Sequence, residues 1–162
     1  MAVIYISIGS NINAEFHVCA GINALRGLYG NITTSIVYES DAVGFDGDNF
    51  YNLVVKATVN EDVKSVAMHL RTIEDDFNRD RTGPKFSSRT LDLDLLLYDD
   101  LILNEPHLEL PRGEITTNAF VLLPLSELAA DLIHPTVEKT IGQLWQEYDK
   151  DSQKLWPIEI SC

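Results

Sequence analysis

Cysteine is nearly absent from this chain. Cys19 and Cys162 are the only two, one inside a helical pattern and one at the last position. That pattern supports neither a disulfide framework nor a cysteine-based zinc site, and it fits a reducing, cytoplasmic setting. Cations are also scarce: 12 Lys and Arg stand against 25 Asp and Glu, a formal charge of -13. Such a field repels nucleic-acid backbones and anionic lipid alike, so neither nucleic acid nor a membrane surface is expected as a partner. No run approaches the roughly 20 apolar residues of a membrane span. The short apolar stretch from Met1 to Ile8 lacks the basic flank of an export signal.

What remains is a chain of 162 residues, 45% apolar and 23% charged, which predicts one globular domain over residues 1–162. Val3, Ile4, Tyr5, Ile6 and Ile8 read as a strand that stops at the turn Gly9-Ser10-Asn11. With Asn13 as its cap, Val18, Ile22, Leu25 and Tyr29 then repeat at helical spacing, and Gly30 supplies a left-handed stop. Ile32 to Tyr38 is rich in β-branched residues and predicts a second strand, followed by a loop from Asp41 to Asn49. From Phe50 to Val59 the chain alternates, placing Phe50 and Asn52 on one face and Tyr51, Leu53 and Val55 on the other. Asn60 reads as the cap of a helix carrying Val63, Val66, Leu70, Ile73 and Phe77 on its apolar stripe. Leu91 to Tyr98 predicts another strand. Five of the six prolines lie beyond residue 100, predicting loops and short helices there, at Phe120 to Leu128 and Thr140 to Tyr148. Strand, helix, strand, strand, helix, strand is the ferredoxin-like α+β order, with helices on one face of an antiparallel sheet and a helical C-terminal extension.

Two clusters carry chemistry. Between Asn78 and Thr90, Arg79, Arg81, Lys85 and Arg89 face only Asp80, a local charge of +3 in an acidic chain. Guanidinium forks match phosphate oxygens, although a solvated loop would look the same. In Leu91-Asp92-Leu93-Asp94-Leu95-Leu96-Leu97, alternation turns Leu91, Leu93, Leu95 and Leu97 to the core and both aspartates to the opposite face. The two carboxylates then attach roughly 7 Å apart and can share one or two magnesium ions, which take hard oxygen ligands and leave room for phosphate. A short Asp-x-Asp is common without any metal. Arg89, three residues before Asp92, brings both chemistries to one place, as phosphoryl transfer requires.

The segment from Glu74 through Arg79, Arg81, Lys85, Phe86 and Arg89-Thr90-Leu91-Asp92-Leu93-Asp94 resembles the signature of the 6-hydroxymethyl-7,8-dihydropterin pyrophosphokinases. Ile8-Gly9-Ser10-Asn11, Phe50-Tyr51-Asn52 and Phe120-Val121-Leu122-Leu123-Pro124-Leu125 match in the family's order and spacing. The resemblance implies magnesium-dependent transfer of the β,γ-pyrophosphoryl group of ATP to the pterin hydroxymethyl oxygen, releasing AMP, in folate biosynthesis. It implies two magnesium ions on Asp92 and Asp94, and Arg79 and Arg89 as the catalytic cations. Glu74, Arg81, Lys85 and Arg112 fall on the ATP side. Gly9, Ser40, Val43, Phe50, Asn52, Phe86 and Phe120 fall on the pterin side, with Phe86 and Phe120 about the ring and Asn52 reading its amide.

The chain departs from that family at Asp41 (usually Pro), Lys85 (Arg), Phe86 (Trp), Ser87-Ser88 (Gly-Pro), Arg112 (His) and Asn118 (Arg). An alternative expectation is therefore a catalytically weak paralogue that binds pterin or nucleotide as a regulator. From the residues alone, paired acids on such a sheet also describe palm-type nucleotidyl transferases, against which the net charge of -13 argues.

Overall fold

The computed structural model describes residues 1–42, 47–77 and 90–162. In chain order the elements are β1 (Ala2–Ser10), α1 (Ala14–Tyr29), β2 (Thr33–Thr34), β3 (Val37–Ser40), β4 (Phe50–Val59), α2 (Val63–Asp76) and β5 (Asp92–Tyr98). They continue as β6 (Leu103–Glu105), β7 (Leu108–Leu110), α3 (Glu114–Thr117), α4 (Ala119–Ala129), α5 (Ile141–Glu147) and β8 (Leu155–Ile158). The main sheet runs β5-β1-β4-β3-β8, with β2 also on β4, and every pairing is antiparallel. This is the ferredoxin-like α+β arrangement that the element order predicts.

Two cores sandwich the sheet. On one face Ile4, Ile6 and Ile8 of β1 pack with Leu53 and Val55 of β4, Leu93 and Leu95 of β5, and the stripes of α1 and α2. On the other, Tyr5, Val54, Leu96 and Leu97 meet Ile115, Val121, Leu122 and Leu125, so the C-terminal extension covers the second face. Leu97 was expected on the first face. The register of β1 on β5 shifts between Tyr5 and Ile6, and that irregularity turns Leu97 over. Each fully buried leucine or isoleucine contributes about 1.5–3 kcal/mol relative to exposure, and Ile4, Ile8, Leu53 and Leu125 are all sealed from solvent.

The helix ends show where local signals were read correctly and where not. Gly30 stops α1 in the left-handed region, φ 76°, its N–H bonded to Arg26 O at 2.8 Å. Asn13 stands at the N-cap, but with φ 48° and no side-chain bond. The cap of α2 is Asp62 rather than Asn60: its Oδ1 accepts the Ser65 N–H at 2.8 Å. The strand predicted from Ile32 to Tyr38 is broken. Ser35 uses its hydroxyl to accept the Val54 N–H, and the Ile36 N–H leaves the ladder for Glu127 of α4, which separates β2 from β3. The chain also ends its fold in a strand, β8 on β3, where only helices and loops were expected.

The two cysteines correct the first expectation. Cys19 of α1 and Cys162 form a disulfide with Cα atoms 5.1 Å apart, closing 143 residues of chain and pinning the segment that follows β8 to α1. Among the described residues no helix is long and apolar enough to cross a membrane.

Candidate active site

The site is built on the ends of three adjacent strands, β4, β1 and β5. Gly9 of β1 is the register partner of Asn52 in β4 on one side and of Asp92 in β5 on the other. Ser7, two residues earlier, is the partner of Asp94. Directly opposed residues of antiparallel strands project from the same face. Asn52, Asp92 and Asp94 therefore share the face that α4 covers farther along the sheet, while Leu91, Leu93 and Leu95 turn to the other core as alternation predicts. Beyond Asn52 the row continues to Tyr38 of β3, whose hydroxyl donates to Glu127 of α4.

A third carboxylate joins the aspartates. Glu74, in the last turn of α2, is buried, and its Oε2 accepts the Leu93 N–H at 2.8 Å. That N–H lies between Asp92 and Asp94, so the helix end is fastened to the backbone that spaces the pair. Oxygens of Glu74, Asp92 and Asp94 all lie within 4.8 Å of one another.

Such crowding has an electrostatic cost. The Asp94 side chain keeps 30% of its surface open, yet desolvation first, and then the neighbouring Asp92 charge, push its carboxyl up to about 8 against the partial relief of Arg112. Arg112 lies 3.6 Å from Asp94 Oδ1, and its Nε lies 3.1 Å from Glu114 Oε2. Its backbone N–H bonds Leu96 O of β5 at 3.0 Å, which sets the guanidinium beside the acids. The donor set fits a hard divalent cation: three carboxylates, each offering an oxygen within 4.8 Å of the other two.

Across β1 from the acids, a Cβ built on Gly9 would stand 2.6 Å from Asn52 Oδ1, so the amide of Asn52 lies over the glycine. Ser40, buried at the end of β3, is the register partner of Phe50. Asn11 Nδ2 donates to Asp48 O at 3.0 Å, tying the turn after β1 to the loop before β4. Phe120, in the first turn of α4, is half-buried against the second core. Asn118 stands at the N-cap of α4 without a side-chain cap bond. Gln153 supplies it, accepting the Ala119 N–H at 2.8 Å and donating to Asn118 Oδ1 at 3.1 Å.

The structure thus brings Gly9, Asn52, Glu74, Asp92, Asp94 and Arg112 to one end of the sheet, and places Ser40, Phe50 and Phe120 on the elements that flank it. Arg79, Arg81, Lys85, Phe86 and Arg89, together with Val43, lie outside the described residues. Two features escaped the sequence. Glu114 as the holder of Arg112 carries no sequence signal, and Glu74, which the resemblance sets on the nucleotide side, also stands beside the aspartates. A signal for Glu74 was present: it continues the four-residue spacing of Val66 and Leu70, the other buried residues of α2, and an acid on a buried stripe needs a partner.

Fold and site together define a class, an antiparallel α+β domain with an acidic cluster at one end of its sheet. The family model for 7,8-dihydro-6-hydroxymethylpterin-pyrophosphokinase matches residues 5–130. The chain is 32% identical over 161 residues to the 2-amino-4-hydroxy-6-hydroxymethyldihydropteridine pyrophosphokinase of Haemophilus influenzae, covering 97% of this chain and 100% of that protein. It is 29% identical to the Aquifex aeolicus protein of the same name, covering 91% of this chain and 92% of that one. Against Folic acid synthesis protein FOL1 of Dictyostelium discoideum it is 31% identical over 88% of its length but spans only 22% of that larger protein. In fold it is similar to wild-type Plasmodium falciparum HPPK-DHPS solved with pterin and p-hydroxybenzoate, with TM-score 0.73 at 15% identity, over 91% of this chain and 43% of that one. The chain belongs to the 7,8-dihydro-6-hydroxymethylpterin-pyrophosphokinase family. Its activity is that of a pyrophosphokinase, a diphosphotransferase.

Proposed function

We propose that the chain transfers the pyrophosphoryl group of ATP to the hydroxymethyl oxygen of 6-hydroxymethyl-7,8-dihydropterin, releasing AMP, and that it does so with magnesium, as one domain over residues 1–162. The observation that carries this reading is the row Asn52, Gly9, Asp92 across three adjacent strands. It sets a side chain able to read a pterin amide roughly 10 Å from a metal-binding carboxylate, two strand spacings along one face.

Asp92 and Asp94 would hold the metal, two ions in the full reading, with Glu74 fixing the backbone between them. The metal would supply neutralisation of phosphate charge. The protein's own part is positioning. Asn52 orients the ring edge, Phe120 and Phe86 confine its faces, and Gly9, Ser40, Val43 and Phe50 shape the slot. Arg79 and Arg89 offset charge at the β-phosphorus, with Arg81 and Lys85 assisting. Arg112 is the further cation on the nucleotide side. The geometry supports Glu74 as a member of the acidic cluster more than as a direct ATP contact. Incubation with ATP, magnesium and the reduced pterin should yield AMP and not ADP; an absence of AMP at saturating substrate overturns the reading.

One observation favours a second reading, a catalytically weak paralogue that binds pterin or nucleotide. Arg112 is engaged with Asp94 and Glu114, and in that position it competes with a metal for the aspartate. Calorimetry decides: tight pterin binding without turnover supports the binding module. A cytoplasmic location, where ATP and the reduced pterin are supplied, is also proposed. The disulfide argues against a strongly reducing one, and thiol labelling of the protein in intact cells separates the two.

A further inference from the structure

We infer that Gly9 is a positioning residue for pterin selection: the absence of its side chain is what lets the Asn52 amide lie across β1 in the orientation that reads the ring. The inference rests on the assignment of Asn52 as the pterin reader and explains how that amide is held.

Glycine is not required at position 9 by the backbone or by packing. Gly30 sits at φ 76°, where other residues are strained, and a Cβ on Gly21 would meet a core leucine, Leu91, at 3.1 Å. Gly9 has no positive φ, and the nearest backbone atom to its built Cβ is Tyr51 O at 3.9 Å, an ordinary contact. The one close approach is Asn52 Oδ1 at 2.6 Å, the far end of a side chain that can rotate. A strand residue with a side chain would be better for β1 itself, because glycine weakens strand interiors. At Gly9 a methyl group would displace a site residue and crowd nothing else.

The neighbours explain why the amide leans this way. Asn52 is buried, and its other cross-strand partner is Tyr38, also buried and tied to Glu127. The space on that side is occupied by an aromatic ring. The space over Gly9 is the alternative, and it points toward Asp92, the partner on the far side of Gly9. The bare glycine therefore orients the amide and keeps open the floor between the pterin slot and the acidic cluster.

The test is a double-mutant cycle on the full chain with Gly9→Ala and Asn52→Ala. Gly9→Ala should keep its KM for ATP and raise its KM for the pterin about tenfold, the loss of one well-made hydrogen bond. Asn52→Ala should raise the pterin KM alike, and the double variant should be no worse than Asn52→Ala alone, because the added methyl then has no amide to displace. Losses that multiply in the double variant, or an unchanged pterin KM in Gly9→Ala, would each overturn the inference while leaving the pterin reading intact. An unchanged pterin KM in Asn52→Ala would overturn both.

Discussion

Glu74 Oε2 accepts the backbone N–H of Leu93 at 2.8 Å, which ties the C-terminal turn of α2 to the one residue that separates Asp92 from Asp94. Strand β5 is an edge of the main sheet, so this N–H would otherwise lack a strand partner. The helix acid closes the edge and fixes the aspartate spacing in one contact.

Charge and hydrogen bonding can be separated at that position. Glu74→Gln retains a carbonyl oxygen for the Leu93 N–H and removes the charge, so it should fold with near-parental stability and bind magnesium more weakly. Glu74→Ala removes the acceptor from a buried donor, and urea denaturation should show a loss of about 1–3 kcal/mol. If both variants lose the same stability, the hydrogen bond is not what Glu74 contributes.

The acidic cluster also predicts a pH dependence. The folded-state Asp94 carboxyl titrates at about 8, far above the usual value of 3.8, because of burial and the charge of Asp92. The folded protein thus binds a proton there that the unfolded chain has released, and stability from this group is present below about pH 4 and lost as pH rises through about 8. Without magnesium, the melting temperature of the parent protein should fall across that window relative to Asp94→Asn, and saturating magnesium should flatten the difference. Parallel pH profiles for parent and variant in the absence of metal would refute the placement of that proton.

These residues show what a one-dimensional reading can and cannot reach. Asp92 and Asp94 sharing a face, and Phe50 sharing one with Asn52, follow from the two-residue period of a strand, which is a local property. The meeting of Asn52 and Asp92 across Gly9 depends on the register of two strand pairs, and register is set by the whole sheet. Pro157 hid β8, because proline argues against a strand interior; it is tolerated here because β8 lies at the edge. Asn60 and Asp62 are both good caps, and only the Ser65 N–H, met by Asp62, decides between them. The pairing of Cys19 with Cys162 is not legible locally, because 143 residues of separation carry no signal of proximity.

Arg112 offers a test that bears on catalysis directly. It stands 3.6 Å from Asp94 and is held by Glu114, whose Oε1 accepts from its Nη2 at 3.2 Å, so it occupies part of the field a metal would use. Arg112→Met should tighten magnesium binding by up to about fivefold, the scale of a partly exposed ion pair, and should raise the KM for ATP. Glu114→Gln should loosen the guanidinium without removing it, giving a smaller rise in KM. Calorimetric titration with magnesium alone checks the first claim, and magnesium affinity that is unchanged or weaker in Arg112→Met would refute the competition.

The Cys19–Cys162 disulfide holds the chain beyond β8 against α1, and β8 pairs with β3, the strand that ends at the proposed pterin-slot residue Ser40. Closing so long a loop restricts the unfolded chain strongly, and a native bridge of this kind is worth about 2–4 kcal/mol. For a chain of this size that corresponds to roughly 5–15 °C in melting temperature. Cys19→Ser and Cys162→Ser should each show this loss, and the parent protein treated with dithiothreitol should match them. Because β3 is also held from the other side by β4 and by Glu127, through the Ile36 N–H and the Tyr38 hydroxyl, pyrophosphoryl transfer measured well below the new melting temperature should be retained. Equal melting temperatures with and without reductant would show that the bridge contributes nothing to the folded state; loss of transfer at 25 °C would show that β8 supports the slot more directly than its pairing with β3 implies.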